Sequence, residues 1–157
     1  MTTKISKEGG IHVMDIGADC EEWHHVADGI DMRVLRVCQA TGVWAVLYRV
    51  KAGTLAARHK HFGSSETYVI SGKLLVEGGA EKGGKTLNAG DYLCEPNNLR
   101  VHEATYFPAD TLQLYIHKGP IMYLNDDDSC KFILDWSNIK QFAPQLTQKK
   151  ADEKAAA

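Results

Sequence analysis

An all-β sandwich or barrel is the fold class predicted by this sequence of 157 residues. Three observations carry the prediction. β-branched and aromatic residues gather in short runs, at residues 32–37, 43–50, 111–117 and 120–124. Glycine-containing turns such as 39–42 and 71–72 punctuate the runs. Helical stretches do not alternate with these runs, as βαβ units would require. The length suits one domain, which at this size buries about two-thirds of the unfolded chain's surface. The expected layout is a flexible N-terminus over residues 1–10, a domain over 11–143 and a disordered tail over 144–157.

In chain order, residues 11–16 predict a first strand. Residues 19–31 read as a polar loop in which Trp23 packs onto the core or onto a second subunit. His24 and His25 are adjacent, so a strand would send them to opposite faces. Val69-Ile70 lead into the turn pair Ser71-Gly72 and residues 73–77 continue as a second strand, the outline of a hairpin. Residues 78–84 form a charged, glycine-rich loop, and no helix pattern follows it to cradle a phosphate. Residues 111–117 alternate, with Leu112, Leu114 and Ile116 on one face and Thr111, Gln113, Tyr115 and His117 on the other. The mixed face either lines a cavity or meets water. Asp126–Asp128 lack the spacing of a calcium loop and read as a solvated turn. Residues 135–142 predict a short helix capped by Asp135 or Ser137, with Trp136, Ile139 and Phe142 facing the barrel.

Several function classes are excluded by composition. The formal net charge is −2, with no basic patch for nucleic acid. No apolar run approaches a membrane span or a signal-peptide core, which predicts a cytoplasmic protein. The four cysteines, Cys20, Cys38, Cys94 and Cys130, are scattered and contain no C-x-x-C pair. They are expected as free thiols.

The chemistry concentrates at His59-Lys60-His61. In an extended strand these two imidazoles leave on one side and can chelate one ion, with Lys60 opposite. An H-x-H is equally compatible with ordinary core or surface histidines. A third imidazole is available in His102, on a short strand that follows a turn at 96–98. Pairing of that strand with the one carrying His59 and His61 would bring three neutral rings together, with open positions left for water, dioxygen or substrate.

These residues also carry a family resemblance. Gly53, His59, His61, Glu66 and Gly72, then Gly90, Pro96 and His102, resemble the two cupin motifs in order. Asn98 stands where the second motif usually has glycine, and the Glu66–Gly72 spacing is one residue short. Residues 78–84, 102–108 and 118–127 resemble the acetylacetone-cleaving (β-diketone) dioxygenases, over roughly residues 45 to 142. The resemblance implies a single-domain cupin, a double-stranded β-helix or jelly-roll barrel with a short C-terminal helix. It implies a non-haem Fe(2+) held by His59, His61 and His102, with Glu66 as a fourth ligand or an outer-shell residue. Glu95, Thr105 and Gln113 are candidates to fix the outer ring nitrogens. Tyr115 and His117 join Gln113 as pocket residues. At Ala56, Gln113 and His117 these relatives carry phenylalanines near the iron, and at Thr67 and Glu77 a tyrosine and an arginine. The pocket is therefore expected to be roomier and more polar, suited to a larger or more hydroxylated ketone.

The implied reaction is cleavage of a C–C bond of a β-diketone or related oxygenated ketone by O2. Three imidazoles without a carboxylate leave a divalent cation its full charge, which favours an anionic enolate. Two alternatives stand beside it. One is a non-catalytic sensor cupin binding Zn(2+), which suits imidazole equally. The other is a metal-dependent isomerase, with His117 or Tyr115 as its acid or base. By analogy with cupins a homo-oligomer, dimer or tetramer, is expected.

Overall fold

The computed structural model of the protein describes residues 23–96 and 99–142. The strand expected at 11–16, Cys20, Asn98 and the tail after 143 lie outside the described residues. The architecture is all-β, with one short C-terminal helix. One layer is a six-stranded sheet in the order β1 (His24–Ala27), β2 (Ile30–Cys38), β3 (Val43–Val50), β12 (Thr111–Lys118), β6 (Ser65–Ser71) and β9 (Tyr92–Glu95). Facing it are two four-stranded sheets. The first runs β10 (Val101–His102), β5 (His59–His61), β13 (Ile121–Leu124), β14 (Cys130–Leu134). The second runs β4 (Leu55–Ala56), β11 (Thr105–Tyr106), β7 (Lys73–Val76), β8 (Lys85–Asn88).

These two sheets are halves of one layer. His102 pairs with His59, and three residues along each chain Thr105 pairs with Ala56, so the antiparallel register runs unbroken across the gap. Only the ladder is interrupted there, at residues 57–58 and 103–104. Arg58 stitches the interruption, reaching Glu103 at 3.3 Å, Asp128 at 2.8 Å and the carbonyls of Asn125 and Asp126 at 3.3 Å.

Strand alternation builds the interior. Trp44, Val46 and Val50 point inward from β3 and are essentially buried. Two apolar clusters result. One joins Met32, Val34, Trp44, Val46, Ile121 and Ile139. The other joins Val50, Val69, Leu74, Val76, Leu87 and Phe107. Ile139 arrives on α1 (Trp136–Gln141), which Asp135 caps by accepting from the backbone N–H groups of Ser137 and Asn138.

Two expectations need correction. Residues 24–27 are a strand paired with β2, not a loop. His24 packs against Phe142, His25 faces Asp31, and Trp23 lies under the Arg49 guanidinium at 4.5 Å. Residues 65–71 and 73–76 do not form a hairpin with each other. β6 pairs with β12 and β9, whereas β7 pairs with β11 and β8 in the opposite layer. Gly72, at φ +87°, turns the chain from one layer to the other. A third differs only in detail: the glycine-rich stretch is a loop followed by strand β8, as expected, and carries a 3₁₀ turn at Ala80–Lys82. Elsewhere the aspartate turn is a hairpin turn between β13 and β14, as expected.

A Cβ on Gly72 would collide with the backbone oxygen of Asp110 while occupying a left-handed conformation. Gly72→Ala is therefore expected to destabilise the fold by at least about 1–2 kcal/mol. Urea unfolding checks it, and an unchanged midpoint would contradict this account of the crossing.

Candidate metal centre

The shared register decides where the histidines meet. His59 stands opposite His102 on one side and Tyr123 on the other, so all three side chains leave the layer on its inner face. His61, two residues on, leaves on the same face and is 1% exposed. The Nε2 atoms of His59 and His61 are 2.7 Å apart. Ring centres lie 4.7 Å apart for His59–His61 and for His61–His102, and 5.6 Å for His59–His102. The rings are gathered rather than closed. Among the described residues no group of three or more His, Cys, Asp or Glu side chains is placed so that it could hold a metal ion as it stands.

Their outer nitrogens are held by different devices. The break in the ladder frees the carbonyl of Ala57, which accepts from His59 Nδ1–H at 2.9 Å. His102 Nδ1 faces Glu95 at 3.2 Å, and the other Glu95 oxygen accepts from the Ser65 hydroxyl at 2.9 Å. With Nδ1 so engaged, His102 Nε2 is buried without a partner. The donor set fits a transition-metal ion: it is imidazole, and the Nδ1 bonds of His59 and His102 leave Nε2 free of protons.

Electrostatics favour the same state. Burial lowers the His59 pKa, and the Ala57 bond opposes it only partly. Burial, then the neighbouring His59, brings His61 down to about 3. Burial brings His117 to about 4. Burial also pushes the Glu95 carboxyl upward, but the His102 hydrogen bond, the nearby His61 and His102 rings and the Ser65 hydroxyl outweigh it, leaving about 2. Burial thus favours neutral rings at His59, His61 and His117, beside an ionised Glu95.

The remaining sequence-predicted residues divide cleanly. Glu66 is not with the histidines. Along β6, Ser65, Thr67 and Val69 are buried and point inward, while Glu66 takes the opposite face and hydrogen-bonds Tyr92, raising that phenol's pKa. The mixed face of β12 points inward: Thr111, Gln113 and His117 are buried. A cavity of about 550 Å³ lies between the layers and reaches His59, His102 and Glu95. Thr105, Gln113, Tyr115 and Thr67 line it, with Tyr48 and Tyr123 among them and Leu74, Val76 and Phe107 on the apolar side. Burial holds the phenols of Tyr48 and Tyr115 protonated, with pKa values well above their ordinary range. Glu77 sits away from this wall in an ion pair with Arg100 at 2.7 Å. Sequence reasoning missed the Ala57 carbonyl and Ser65. No side-chain pattern signals the first, whereas Ser65 is the inward neighbour of Glu66.

Acid stability follows from these shifts. An imidazole with a lowered folded pKa imposes no penalty above about pH 6.5, where it is neutral in both states. As pH falls, the unfolded chain takes up protons that the folded one refuses. Stability is thus lost between about pH 6.5 and the folded values near 3–4 for His61 and His117. Each ring adds a slope of up to about 1.4 kcal/mol per pH unit. Glu95 acts in the same direction between its ordinary 4.5 and about 2. Denaturant unfolding from pH 7.5 to 4.5 should show stability falling below about pH 6, and a flat profile would contradict the burial of these rings.

Comparison with known proteins agrees with the fold. Residues 13–122 match the ChrR cupin-like domain family. The acetylacetone-cleaving enzyme of Acinetobacter johnsonii is 28% identical over 112 residues, covering 71% of this chain and 72% of that protein. The crystal structure of an acetylacetone dioxygenase from the same organism superposes with TM-score 0.78 at 23% identity, over 90% of this chain and 97% of that one. An RmlC-like cupin protein from Ralstonia eutropha JMP134 gives 0.68 at 20% identity, over 82% of each chain. The anti-sigma ChrR, in its complex with Rhodobacter sphaeroides SigE, gives 0.52 at 18% identity, over 64% of this chain and 50% of that one. No helix among the described residues is long and apolar enough to cross a membrane. The chain belongs to the ChrR cupin-like family.

Proposed function

We propose that the protein is a non-haem Fe(2+) dioxygenase that cleaves a C–C bond of a β-diketone or related oxygenated ketone, with His59, His61 and His102 as the metal ligands. The single observation that carries the reading is the gathering of the His59, His61 and His102 rings, with His59 and His102 on the wall of the cavity between the layers. Its support from relatives is the acetylacetone-cleaving enzyme noted above.

A ferrous ion there would supply dioxygen activation and a positive charge that favours an enolate. The protein's own part is to bind, orient and exclude water. Burial favours the neutral form of His59 and His61, so neither competes with the substrate as a cation. Glu95 fixes the His102 ring and offsets part of the site's charge from outside the ligand set. Apolar Leu74, Val76 and Phe107 keep that wall dry, while protonated Tyr48, Tyr115 and Tyr123 and the Gln113 amide offer hydrogen bonds. A cavity of this size and polarity suits a ketone larger or more hydroxylated than acetylacetone. O2 is the co-substrate. A cytoplasmic location, a homo-oligomeric assembly and a domain spanning 11–143 remain part of the same proposal.

The rival with a specific observation behind it is a non-catalytic Zn(2+)-binding module, favoured by the ChrR family match. Oxygen consumption separates the two. Anaerobically purified, Fe(2+)-loaded protein should take up O2 with β-diketones or hydroxyketones, faster with bulkier ones than with acetylacetone. Oxygen uptake indistinguishable from the protein-free rate would favour the binding module. Uptake fastest with acetylacetone would contradict the substrate size.

Substitutions test the ligand set. His59→Ala, His61→Ala and His102→Ala should each abolish stoichiometric metal. Glu95→Gln should weaken metal binding about 10–100-fold through the loosened His102 ring. Glu66→Gln should retain wild-type metal content, and its loss of metal would return Glu66 to the ligand set.

A further inference from the structure

The proposed ligand rings carry three outer nitrogens, and a ligating histidine ordinarily donates its other N–H to a fixed partner. Two are accounted for by Ala57 and Glu95. The third, His61 Nδ1, is buried with no partner. Beside His61 stands His117, wholly buried, its ring centre 5.0 Å from that of His61 and its own Nε2 likewise unpartnered.

His117 is fixed in place. Its Nδ1–H donates to the carbonyl of Gly119 at 2.9 Å. Trp44 Nε1–H donates to the same carbonyl at 3.3 Å, and the indole ring packs on the imidazole at 5.3 Å. With its proton on Nδ1, His117 presents a lone pair at Nε2. The His61 tautomer is set from its other side. Because His59 carries its proton on Nδ1, the 2.7 Å contact between the Nε2 atoms takes its proton from His61. Neutral His61 is then left with a lone pair at Nδ1 and its neighbour His117 with one at Nε2, and neither has a partner. A cation at His61 Nε2 excludes that proton, and a neutral ring can carry it only on Nδ1. Two acceptors then become a donor and an acceptor on rings whose centres are 5.0 Å apart and which meet edge-on at 65°, close enough for a rotation of the rings to join them.

We infer that His117 is the positioning residue for His61: a metal at His61 Nε2 moves the ring proton to Nδ1, which donates to His117 Nε2, and the chain ends at the Gly119 carbonyl. The inference rests on the three-histidine reading above. No proton is gained or lost, since the same proton changes nitrogen. The bond stiffens the His61 ring and makes it a stronger donor to the ion.

Zn2+ titration in competition with a chromophoric chelator tests this without reference to turnover. His117→Phe should weaken Zn2+ binding about 10–100-fold. His117→Gln, which returns an acceptor near the position of Nε2, should recover most of the loss. Wild-type affinity in H117F, or no recovery in H117Q, overturns the inference. A measurement on the unmutated protein guards against variants that fail to fold. In Zn2+-loaded, 15N-labelled protein, His61 Nδ1 should carry a slowly exchanging proton with coupling across the bond to His117 Nε2. Fast exchange with water at that proton overturns the inference as well. His59→Ala separates the two levels. If it binds Zn2+ as tightly as wild type, the three-histidine reading fails and takes this one with it. If it loses Zn2+ while H117F keeps it, only the role of His117 falls.

Discussion

The site depends on one antiparallel pairing, between residues 55–61 and 101–106. Its register is continuous, so His102 has a single partner, His59, and a single face on which to appear. A slip of one residue would send the His102 side chain to the outer face and leave a two-histidine site. The pairing is also interrupted, and the interruption is useful. A carbonyl left out of the ladder at Ala57 fixes the His59 tautomer, which an intact strand would not permit.

Burial sets the chemistry and its cost together. Desolvation favours unprotonated His59, His61 and His117, the state that the proposed metal site requires, and the same desolvation makes the fold acid-sensitive. Polar groups inside a small barrel are tolerable only with partners. Glu95 has two, in His102 and Ser65. The unpartnered ring nitrogens of His61, His102 and His117 mark the interior places where a ligand ion or a shifted proton would matter most.

Much of this was legible in the sequence. Period-two alternation located His59 and His61 on one face, and the two motifs identified the barrel and the third histidine. Turn chemistry was less informative. A glycine at positive φ reads alike whether the chain doubles back within one sheet or crosses to the other, so Ser71-Gly72 pointed to a hairpin that does not exist. The sense of β12 was open for a related reason: its mixed face points inward, with Gln113 and Tyr115 on the cavity wall, against the usual apolar-in pattern. Glu66 and Ser65 differ by one position, and no spacing rule decides which one a strand turns inward. The Glu95–Ser65 bond and the approach of His117 to His61 join residues 30 and 56 positions apart, and such contacts come from tertiary packing.

X-ray absorption at the metal edge tests the central claim most directly. Zn2+-loaded protein should show a first shell of nitrogen and oxygen at about 2.0–2.1 Å, with outer-shell scattering of three imidazoles. Glu66→Gln should leave that spectrum unchanged. A fit requiring two imidazoles or fewer, or a spectrum altered by Glu66→Gln, would contradict a three-histidine centre.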